Sequence, residues 1–221
     1  MLGLTFDVNP ASPLRVLCLG AHCDDIEIGC GGTILNLAKA GRKLDVHWIV
    51  FSSDERRKQE AVNSANAFLA DIPIRRVIVH AFRDGFFPYI GVEIKEQFEQ
   101  LKSEFSPDLI LTHYRHDLHQ DHRLVSELTW NTFRNHLILE YEIPKYDGDF
   151  GSPNFFVPLD ETTCRRKIDT ILGAYQSQSG KQWFSRDLFL SVLRLRGMEA
   201  YASDGYAEGF YCRKAVLGTE D

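Results

Sequence analysis

Short apolar runs alternate with helix-like segments through the first half of this 221-residue chain. The runs predict strands at Arg15–Gly20, Leu44–Ser52, Arg76–Phe82 and Asp108–Thr112, and the intervening segments predict helices at Gly31–Ala40, Glu55–Ala70, Val92–Phe105 and Asp121–Phe133. Strands that are separated by helices of this length indicate βαβ units with parallel strands. We therefore expect an α/β fold, a Rossmann-like, doubly wound, mainly parallel sheet with helices on both faces.

The second half of the chain is less regular. It predicts a strand at Leu137–Tyr146 that ends near Pro144, a loop at Lys145–Pro158, helices at Thr162–Tyr175 and Arg186–Arg196, and a last strand at Ala207–Val216. No linker, internal repeat or low-complexity segment separates the two halves. One domain over residues 1–221, with a short N-terminal tail of about residues 1–13, is the expected organisation.

The charge of the chain argues against nucleic acid as a partner. The net charge is −6 with a pI of about 5.8, and there is no long basic run of the kind that contacts phosphate backbones. The short clusters Arg56–Lys58 and Arg165–Lys167 fit solvated helix faces, although a substrate contact for one of them stays open. We expect a small-molecule substrate, and a homo-oligomer is possible.

The cysteines and the apolar runs indicate a compartment. The five cysteines are odd in number and form no CxxC pair, which favours reduced thiols. The N-terminal segment has no signal-peptide pattern, and no apolar run approaches the roughly 18 residues of a membrane span. We expect a cytoplasmic protein without a membrane span.

Two loops that follow predicted strands are rich in metal-binding side chains. The loop Ala21–Thr33 carries His22, Asp24, Asp25 and Glu27. The stretch HYRHDLHQDH, from His113 to His122, holds four histidines and two aspartates and ends in an HxDH pattern. If the first and fourth strands are neighbours, both loops meet at the switch point of the sheet, where such folds bind ligands.

These side chains favour a divalent metal. Adjacent carboxylates are costly unless a cation lies between them, and one aspartate can bind a metal while its neighbour stays free as a base. Two histidines and one carboxylate suit catalytic zinc or a similar transition metal, which would activate a water molecule. Without a metal, Asp24 or Asp121 would be a helix N-cap, and a lone histidine an ordinary polar residue.

The glycines of the first loop have their own interpretation. Gly29, Gly31 and Gly32 would let the backbone turn tightly into the following helix and let a ligand approach closely. The spacing of Gly29 and Gly31 superficially resembles a dinucleotide-binding GxGxxG motif, but Ile34 stands where the third glycine belongs. A dinucleotide site is therefore not favoured.

The pair AHCDD and HQDH resembles the AHPDD and HPDH motifs of the LmbE-like (PIG-L) zinc-dependent deacetylases, which remove the acetyl group from N-acetylglucosaminyl compounds. The resemblance also covers GCGGT after the first motif, the pattern Arg-x-x-Glu-Ala at 57–61, Asp84, YQSQ at 175–178 and AEGF at 207–210. It spans nearly the whole chain. It implies a metal-dependent hydrolase of an N-acetylated amino sugar or its conjugate.

The resemblance also implies a role for each site residue. His22, Asp25 and His122 would bind one Zn²⁺ per chain, or another divalent transition metal. Asp24 would be the general base for the water, and His119 would polarise the amide carbonyl or stabilise the oxyanion. Protonation of the leaving amine by His119 also stays open. Three further residues would assist without binding the metal. Asp121 would orient a histidine, and Arg57 and Asp84 would contact sugar hydroxyls.

Two departures from the family pattern raise questions of their own. Cys23 stands where the family usually has proline, and it either tolerates the same turn or approaches the metal. His113 and His116 enrich the second loop beyond HxDH, as pocket or scaffold residues. The alternatives are a metal-dependent hydrolase of another amide or ester, and a non-catalytic sugar- or nucleotide-binding module. The second is disfavoured because a binding module has no need for Asp24 beside Asp25.

Overall fold

A computed structural model describes residues 3–5 and 12–216, so most of the expected N-terminal tail lies outside the described residues. The strands are β1 (Leu14–Gly20), β2 (Leu44–Ser52), β3 (Ile74–Phe82), β4 (Leu109–His113), β5 (Leu137–Tyr141), β6 (Phe155–Leu159) and β7 (Tyr206–Cys212). The α-helices are α1 (Asp25–Lys39), α2 (Glu55–Phe68), α3 (Gly91–Glu104), α4 (Gln120–Thr132), α5 (Glu161–Ala174) and α6 (Arg186–Glu199), and short 3₁₀ helices cover Phe87–Tyr89 and Gln176–Gln178.

The seven strands form one sheet in the order β3-β2-β1-β4-β5-β7-β6. The first five strands pair in parallel, and β7 runs antiparallel to both β5 and β6. The α/β fold with a mainly parallel sheet is therefore confirmed, as is the adjacency of β1 and β4. Within the described residues, no helix is both long and apolar enough to span a bilayer.

Alternating side chains of β1 pack into two separate hydrophobic cores, one on each face of the sheet. Val16 and Cys18 pack into the core under α1, α2, α5 and α6, whereas Leu17 and Leu19 pack into the core under α3 and α4. Helices therefore cover both faces of the sheet. Because α1 and α4 follow adjacent strands but lie on opposite faces, the loops that precede them border one cleft.

The predicted loop at Lys145–Pro158 is wrong at its end, because β6 begins at Phe155. This strand lies at the edge of the sheet and pairs only with β7, so Pro158 costs it little: proline is tolerated on edge strands. The preceding strand is also shorter than predicted and ends at Tyr141. The proline and the short length of β6 hid the alternation that identifies longer strands.

The glycines of the first loop lie inside α1, which begins at Asp25 and not at Gly31. A methyl group at Gly29 would lie 2.2 Å from the Tyr141 ring, and one at Gly31 would lie 2.6 Å from the Phe68 ring. The interpretation of these glycines as a tight turn is therefore wrong. They allow α1 to approach the sheet and α2 closely.

A buried ion pair connects the last strand to the first helix. Glu208 of β7 accepts hydrogen bonds from the backbone N–H groups of Gly32 (2.7 Å) and Thr33 (2.6 Å) and from Lys167 Nζ of α5 (2.6 Å). Lys167 also donates to the carbonyl of Ile28 at 2.7 Å. Because these polar groups are buried and satisfy one another, the AEGF segment fixes the position of α1.

The close packing at Gly29 gives a stability prediction. We expect Gly29→Ala to lower the free energy of unfolding by about 1–3 kcal/mol, because the added methyl group overpacks against Tyr141. The matched control is Gly173→Ala in α5, where nothing lies within 4 Å of the added carbon. That control should be neutral or gain up to about 1 kcal/mol from helix propensity. Urea unfolding measures both, and equal stability of the two variants would contradict the packing assignment.

Candidate metal centre

Three side chains from the two loops converge in the cleft between β1 and β4. His22 Nδ1 lies 3.1 Å from His122 Nε2 and 3.4 Å from Asp25 Oδ2, and His122 Nε2 lies 3.6 Å from Asp25 Oδ1. All three residues are buried. Ligand atoms about 2.0–2.2 Å from a tetrahedral zinc lie about 3.3–3.6 Å apart. The donor set therefore fits one divalent metal ion in both chemistry and spacing.

The second nitrogen of each histidine faces a carboxylate. His22 Nε2 lies 3.0 Å from Asp84 Oδ1 and 3.3 Å from Asp121 Oδ2. His122 Nδ1 lies 2.9 Å from Asp117 Oδ2. A carboxylate on the far nitrogen holds the tautomer and the ring orientation of a histidine that binds metal. Both histidines thus turn the other nitrogen towards Asp25.

The electrostatics of the cleft favour a cation at this point. Burial lowers the pKa of His22, but hydrogen bonds to Asp121, Asp25 and Asp84 outweigh burial and raise it well above its usual value. Burial raises the pKa of Asp25, but electrostatic interactions with the imidazoles of His122, His113 and His22 hold it well below its usual range. The carboxylates around His22 therefore stabilise positive charge, whether a proton or a metal ion supplies it.

His122 is poised to offer a lone pair. Burial and the neighbouring charge of His113 lower its pKa to about 3, although Asp25 and Asp117 act in the opposite direction. A neutral imidazole is the form that binds a metal. The same residue stacks on the His113 ring at a centroid distance of 4.0 Å, which restricts its rotation.

Other groups of side chains overlap with this donor set. His22, His119 and His122 could together hold an ion, and so could Asp25, His113 and His122. However, His113 Nε2 accepts a hydrogen bond from the backbone N–H of Ala21 at 2.9 Å, which uses the lone pair that a metal would need. His113 therefore lies beside the ligand set as a support for the β1 end. The sequence left its role open.

A third group, His22, Asp84 and Asp121, also has metal-binding side chains. Asp121 accepts hydrogen bonds from the backbone N–H groups of Gly85 at 2.7 Å and Phe87 at 3.1 Å. These bonds occupy both of its oxygens and connect α4 to the loop that carries Asp84. Asp121 thus lies behind His22 and holds the β3–α3 loop in place.

Asp24 lies beside the ligand set with one oxygen bound and one free. Its Oδ1 accepts a hydrogen bond from Arg57 at 2.7 Å, whereas its Oδ2 is buried and has no hydrogen-bond partner among the described residues. Asp24 occupies the N-cap position of α1, but its side chain makes no capping hydrogen bond. Burial raises the pKa of Asp24 despite the opposing charge of Arg57. A carboxylate with a free oxygen and a raised pKa is suited to accept a proton.

Arg57 and Asp84 both lie at the candidate metal centre, but the Arg57 side chain is largely buried and the Asp84 side chain is exposed. Arg57 is paired with Asp24, a partner that the sequence analysis did not include, while its Nε is buried and unpartnered within the described part of the chain. Asp84 reaches His22 with a side chain that is 62% exposed, and hydrogen bonding to His22 lowers its pKa to about 2. Asp84 therefore faces the open side of the cleft.

His119 lies at the N-cap of α4, next to both candidate ligand histidines, His22 and His122. Its ring centroid is 4.8 Å from that of His22 and 4.6 Å from that of His122. Its Nδ1 accepts from the backbone N–H of Asp121 at 3.2 Å. In the neutral imidazole the proton is therefore assigned to Nε2. Burial and the charge of His22 lower its pKa, so the neutral form predominates at neutral pH.

Sequence reasoning missed Asp117, which connects several parts of the site. Besides His122, it accepts a hydrogen bond from the backbone N–H of His119 at 2.7 Å and lies 2.9 Å from Lys145 Nζ. Its pKa is well below the usual range, since the bond to His122 and nearby positive charges outweigh burial. The signal in the sequence was an aspartate five residues before a candidate ligand, but no helix period relates the two.

The YQSQ segment at 175–178 forms hydrogen bonds to the first loop and to α2. The Tyr175 hydroxyl donates to the buried Glu27 carboxylate at 2.5 Å and also to the carbonyl of Cys23. Ser177 donates to Glu60 of α2, the helix that carries Arg57. Burial raises the pKa of Glu27 to about 8. These contacts place the C-terminal motifs beneath the site rather than in it.

Cys23 points away from the ligand atoms. Its thiol donates to the carbonyl of Ser52 at 3.3 Å, and burial raises its pKa well above the usual value. A neutral thiol hydrogen-bonded to β2 is not a metal ligand. Of the two interpretations of Cys23, the structure supports a residue that tolerates the turn.

Comparison with known proteins identifies relatives over most of this fold. The family model PIG-L, described as GlcNAc-PI de-N-acetylase, matches residues 17–133. The conserved protein TT1542 of Thermus thermophilus superimposes with a TM-score of 0.73 at 21% identity, over 93% of this chain and 97% of that one. N,N′-diacetylchitobiose deacetylase of Pyrococcus horikoshii gives 0.68 at 22% identity, over 92% and 85%.

One similar structure belongs to an enzyme of another reaction class. GalB of Pseudomonas putida KT2440, a 4-carboxy-2-hydroxymuconate hydratase, superimposes with a TM-score of 0.71 at 17% identity, over 93% of this chain and 98% of that one. Similarity at this level establishes the fold and leaves the reaction to the site. The family match covers more than half of the chain and includes both motif loops. The chain belongs to the PIG-L (GlcNAc-PI de-N-acetylase) family.

Proposed function

We propose that this protein is a metal-dependent deacetylase that hydrolyses the N-acetyl group of an amino sugar, of N-acetylglucosamine type, or of its conjugate. One zinc ion per chain would be held by His22, Asp25 and His122, and another divalent transition metal could take its place. The observation that carries the proposal is the convergence of His22 Nδ1, His122 Nε2 and the Asp25 carboxylate. The two nitrogens lie 3.1 Å apart and 3.4 and 3.6 Å from the two oxygens of Asp25, beside an oxygen of Asp24 that has no partner among the described residues.

Zinc in such a site supplies a Lewis acid, which polarises a carbonyl group and lowers the pKa of water. The protein must then move protons, since amide hydrolysis forms a C–O bond, breaks the C–N bond and leaves the nitrogen in need of a proton. Asp24 is the group for both transfers: its free Oδ2 accepts a proton from the attacking water and delivers it to the departing amine. Arg57 holds the other oxygen in place.

His119 supports the reaction from the opposite loop. Because its Nδ1 accepts a backbone hydrogen bond, its Nε2–H is the free donor, suited to the oxyanion that develops on the carbonyl oxygen. Its lowered pKa keeps it neutral, so it serves as a hydrogen-bond donor more than as an acid. This assigns oxyanion stabilisation to His119 and proton transfer to Asp24.

Substrate contacts are proposed for the remaining predicted residues. Asp84 is largely exposed at the mouth of the cleft, where its carboxylate could accept hydrogen bonds from sugar hydroxyl groups. Arg57 retains an Nε donor beside Asp24 that no described residue engages. Asp121 would orient His22 and hold the loop that presents Asp84. We further propose a cytoplasmic location, since all five cysteines are free thiols.

A second candidate reaction is hydration of a carbon–carbon double bond. A hydratase of Pseudomonas putida has a similar fold, and the same site chemistry would serve hydration, because both reactions require an activated water and a base. The distinction lies in the product, because only deacetylation releases acetate and a free amine.

Replacing the base should separate catalysis from metal binding. We expect Asp24→Asn to retain zinc and lose about 10²- to 10⁴-fold in kcat, because the amide cannot accept the proton. The assay follows release of free amine from N-acetylglucosamine and from its nucleotide-, lipid- and thiol-linked forms. Asp71→Asn is the matched control, as this exposed aspartate pairs with Arg166 and lies outside the candidate ligand set.

Two outcomes would count against the deacetylase. Full activity of Asp24→Asn on the preferred substrate would show that Asp24 is not the base. Absence of acetate release from every N-acetylated compound, together with hydration of an unsaturated acid, would favour the second candidate.

Asp117 is expected to tune the metal affinity through His122. We predict that Asp117→Asn weakens zinc binding about 10- to 100-fold, because the charge behind the His122 imidazole is lost. His122→Ala should abolish zinc binding at micromolar concentration, and His116→Ala should leave it unchanged. Competition with a chromophoric chelator measures the three dissociation constants.

Circular dichroism would verify that each variant is folded. An unchanged dissociation constant for folded Asp117→Asn would refute the assigned role of Asp117. Zinc binding by folded His122→Ala with wild-type affinity would remove His122 from the ligand set.

A further inference from the structure

A polar groove of about 750 Å³ runs along α4, beyond the candidate metal centre. One wall consists of α4 side chains at positions 123, 126, 127, 130 and 131, which share one helix face, and of Arg134 just after the helix. The other wall comes from the segment after β4 and from the residues after β7. On this side of the sheet the helices α3 and α4 pack over its central strands, so the groove borders β5 and β7.

The groove concentrates positive charge on a chain of net charge −6. The cationic side chains that line it are Arg115, Arg123, Arg134, Arg213 and Lys214. Among the described residues, none of them lies within 4.0 Å of a carboxylate oxygen. Elsewhere many cations form such pairs, as Arg15 does with Asp108 and Arg76 with Glu104. The groove therefore presents charge that the described part of the protein does not neutralise.

Several of these cations are held in place by groups other than carboxylates. Arg123 donates to the carbonyls of Asp117 and Leu118, and Lys214 donates to the carbonyl of Arg134. The Arg213 guanidinium lies 4.1 Å from the centre of the Trp130 ring. Carbonyl and ring contacts fix the positions of cations while leaving their charge available.

The acidic groups near the groove offset only part of this charge, since five cations face Glu127 and Glu140, and Glu140 interacts electrostatically with Arg213 and Arg115. Glu127 is the exposed carboxylate in its lining. Glu140 is buried and already accepts hydrogen bonds from Trp130 Nε1 at 2.5 Å and from the backbone N–H of Arg115 at 3.0 Å. The hydroxyl of Ser126, in the wall of the groove, is buried and has no hydrogen-bond partner in the described part of the chain.

We propose that this groove binds a small polyanion that carries phosphate groups. Its volume suits a metabolite-sized ligand. Arginine forks match phosphate oxygens in bidentate geometry, and a single carboxylate could not engage cations spread along the length of a helix. A diphosphate carries enough charge and enough acceptor oxygens to reach several of them.

The phosphate could come from two sources. The loop from Arg115 to Arg123 also carries His119 and His122, so the phosphate could be the remote part of the substrate that is bound in the cleft. Alternatively, it could belong to a separate metabolite. Both sources use the same groove chemistry, and binding to the groove does not depend on the proposed deacetylase activity.

Titration calorimetry with inorganic pyrophosphate at low ionic strength tests the proposal. We expect saturable binding by the wild-type chain, weakened at least about tenfold in the double variant R134Q/R213Q, since each lost charged hydrogen bond contributes that order of affinity. The matched control is R165Q/R186Q, which removes two exposed arginines from α5 and α6 and should bind as the wild type does. Absence of saturable binding, or equal weakening in both double variants, would overturn the proposal.

Two further titrants test the chemical class. Citrate carries comparable charge without phosphate, and tighter binding of citrate would overturn the phosphate assignment. A short single-stranded oligonucleotide tests for a macromolecule, and its binding more tightly than pyrophosphate in the same groove would also overturn the assignment to a small ligand.

Kinetics then separate the two sources. If the phosphate belongs to the substrate, R134Q/R213Q should raise KM for a phosphate-bearing N-acetylated sugar and leave KM for the neutral sugar unchanged. If it belongs to a separate metabolite, both KM values should stay unchanged while pyrophosphate binding is lost. A chain inactive on both sugars would refute the deacetylase, and the binding result would still decide the groove.

Discussion

The end of β1 buries more negative charge than a protein interior tolerates without cations. Asp24, Asp25 and Glu27 lie within four residues, all are buried, and Asp84 and Asp121 approach from neighbouring loops. Each carboxylate is stabilised in a different way. Arg57 pairs with Asp24, histidines surround Asp25, and burial keeps Glu27, which accepts from Tyr175, at a raised pKa of about 8.

The rest of the fold holds this charge in position. The doubly wound sheet places β4 beside β1, so that His122 reaches the same point as His22 and Asp25. Segments far away in sequence then fix the first loop and its helix: Glu208 holds the middle of α1, and Tyr175 holds the carbonyl of Cys23. Motifs that are far apart in the sequence thus stabilise the same small region around the candidate metal centre.

Much of this could be predicted from sequence, because strong local patterns decided it. The alternation of strands and helices predicted the mainly parallel α/β sheet, and β2 has the predicted bounds, Leu44–Ser52. The short edge strand β6 and the start of α1 at Asp25 could not be predicted, since they depend on pairing and packing partners. The role of Asp117 likewise depends on how the loop before α4 turns, which no periodicity encodes. The cationic groove could not be predicted from the sequence either, because its residues come from separate segments and form no basic run.

The central claim is that one metal ion occupies the point between His22, Asp25 and His122. Anomalous diffraction at the zinc edge, on crystals grown with zinc, locates the ion directly. The account predicts one strong peak in the cleft, about 2.0–2.2 Å from His22 Nδ1, from a carboxylate oxygen of Asp25 and from His122 Nε2. A peak between His22 Nε2, Asp84 and Asp121, or no peak in the cleft, would contradict it.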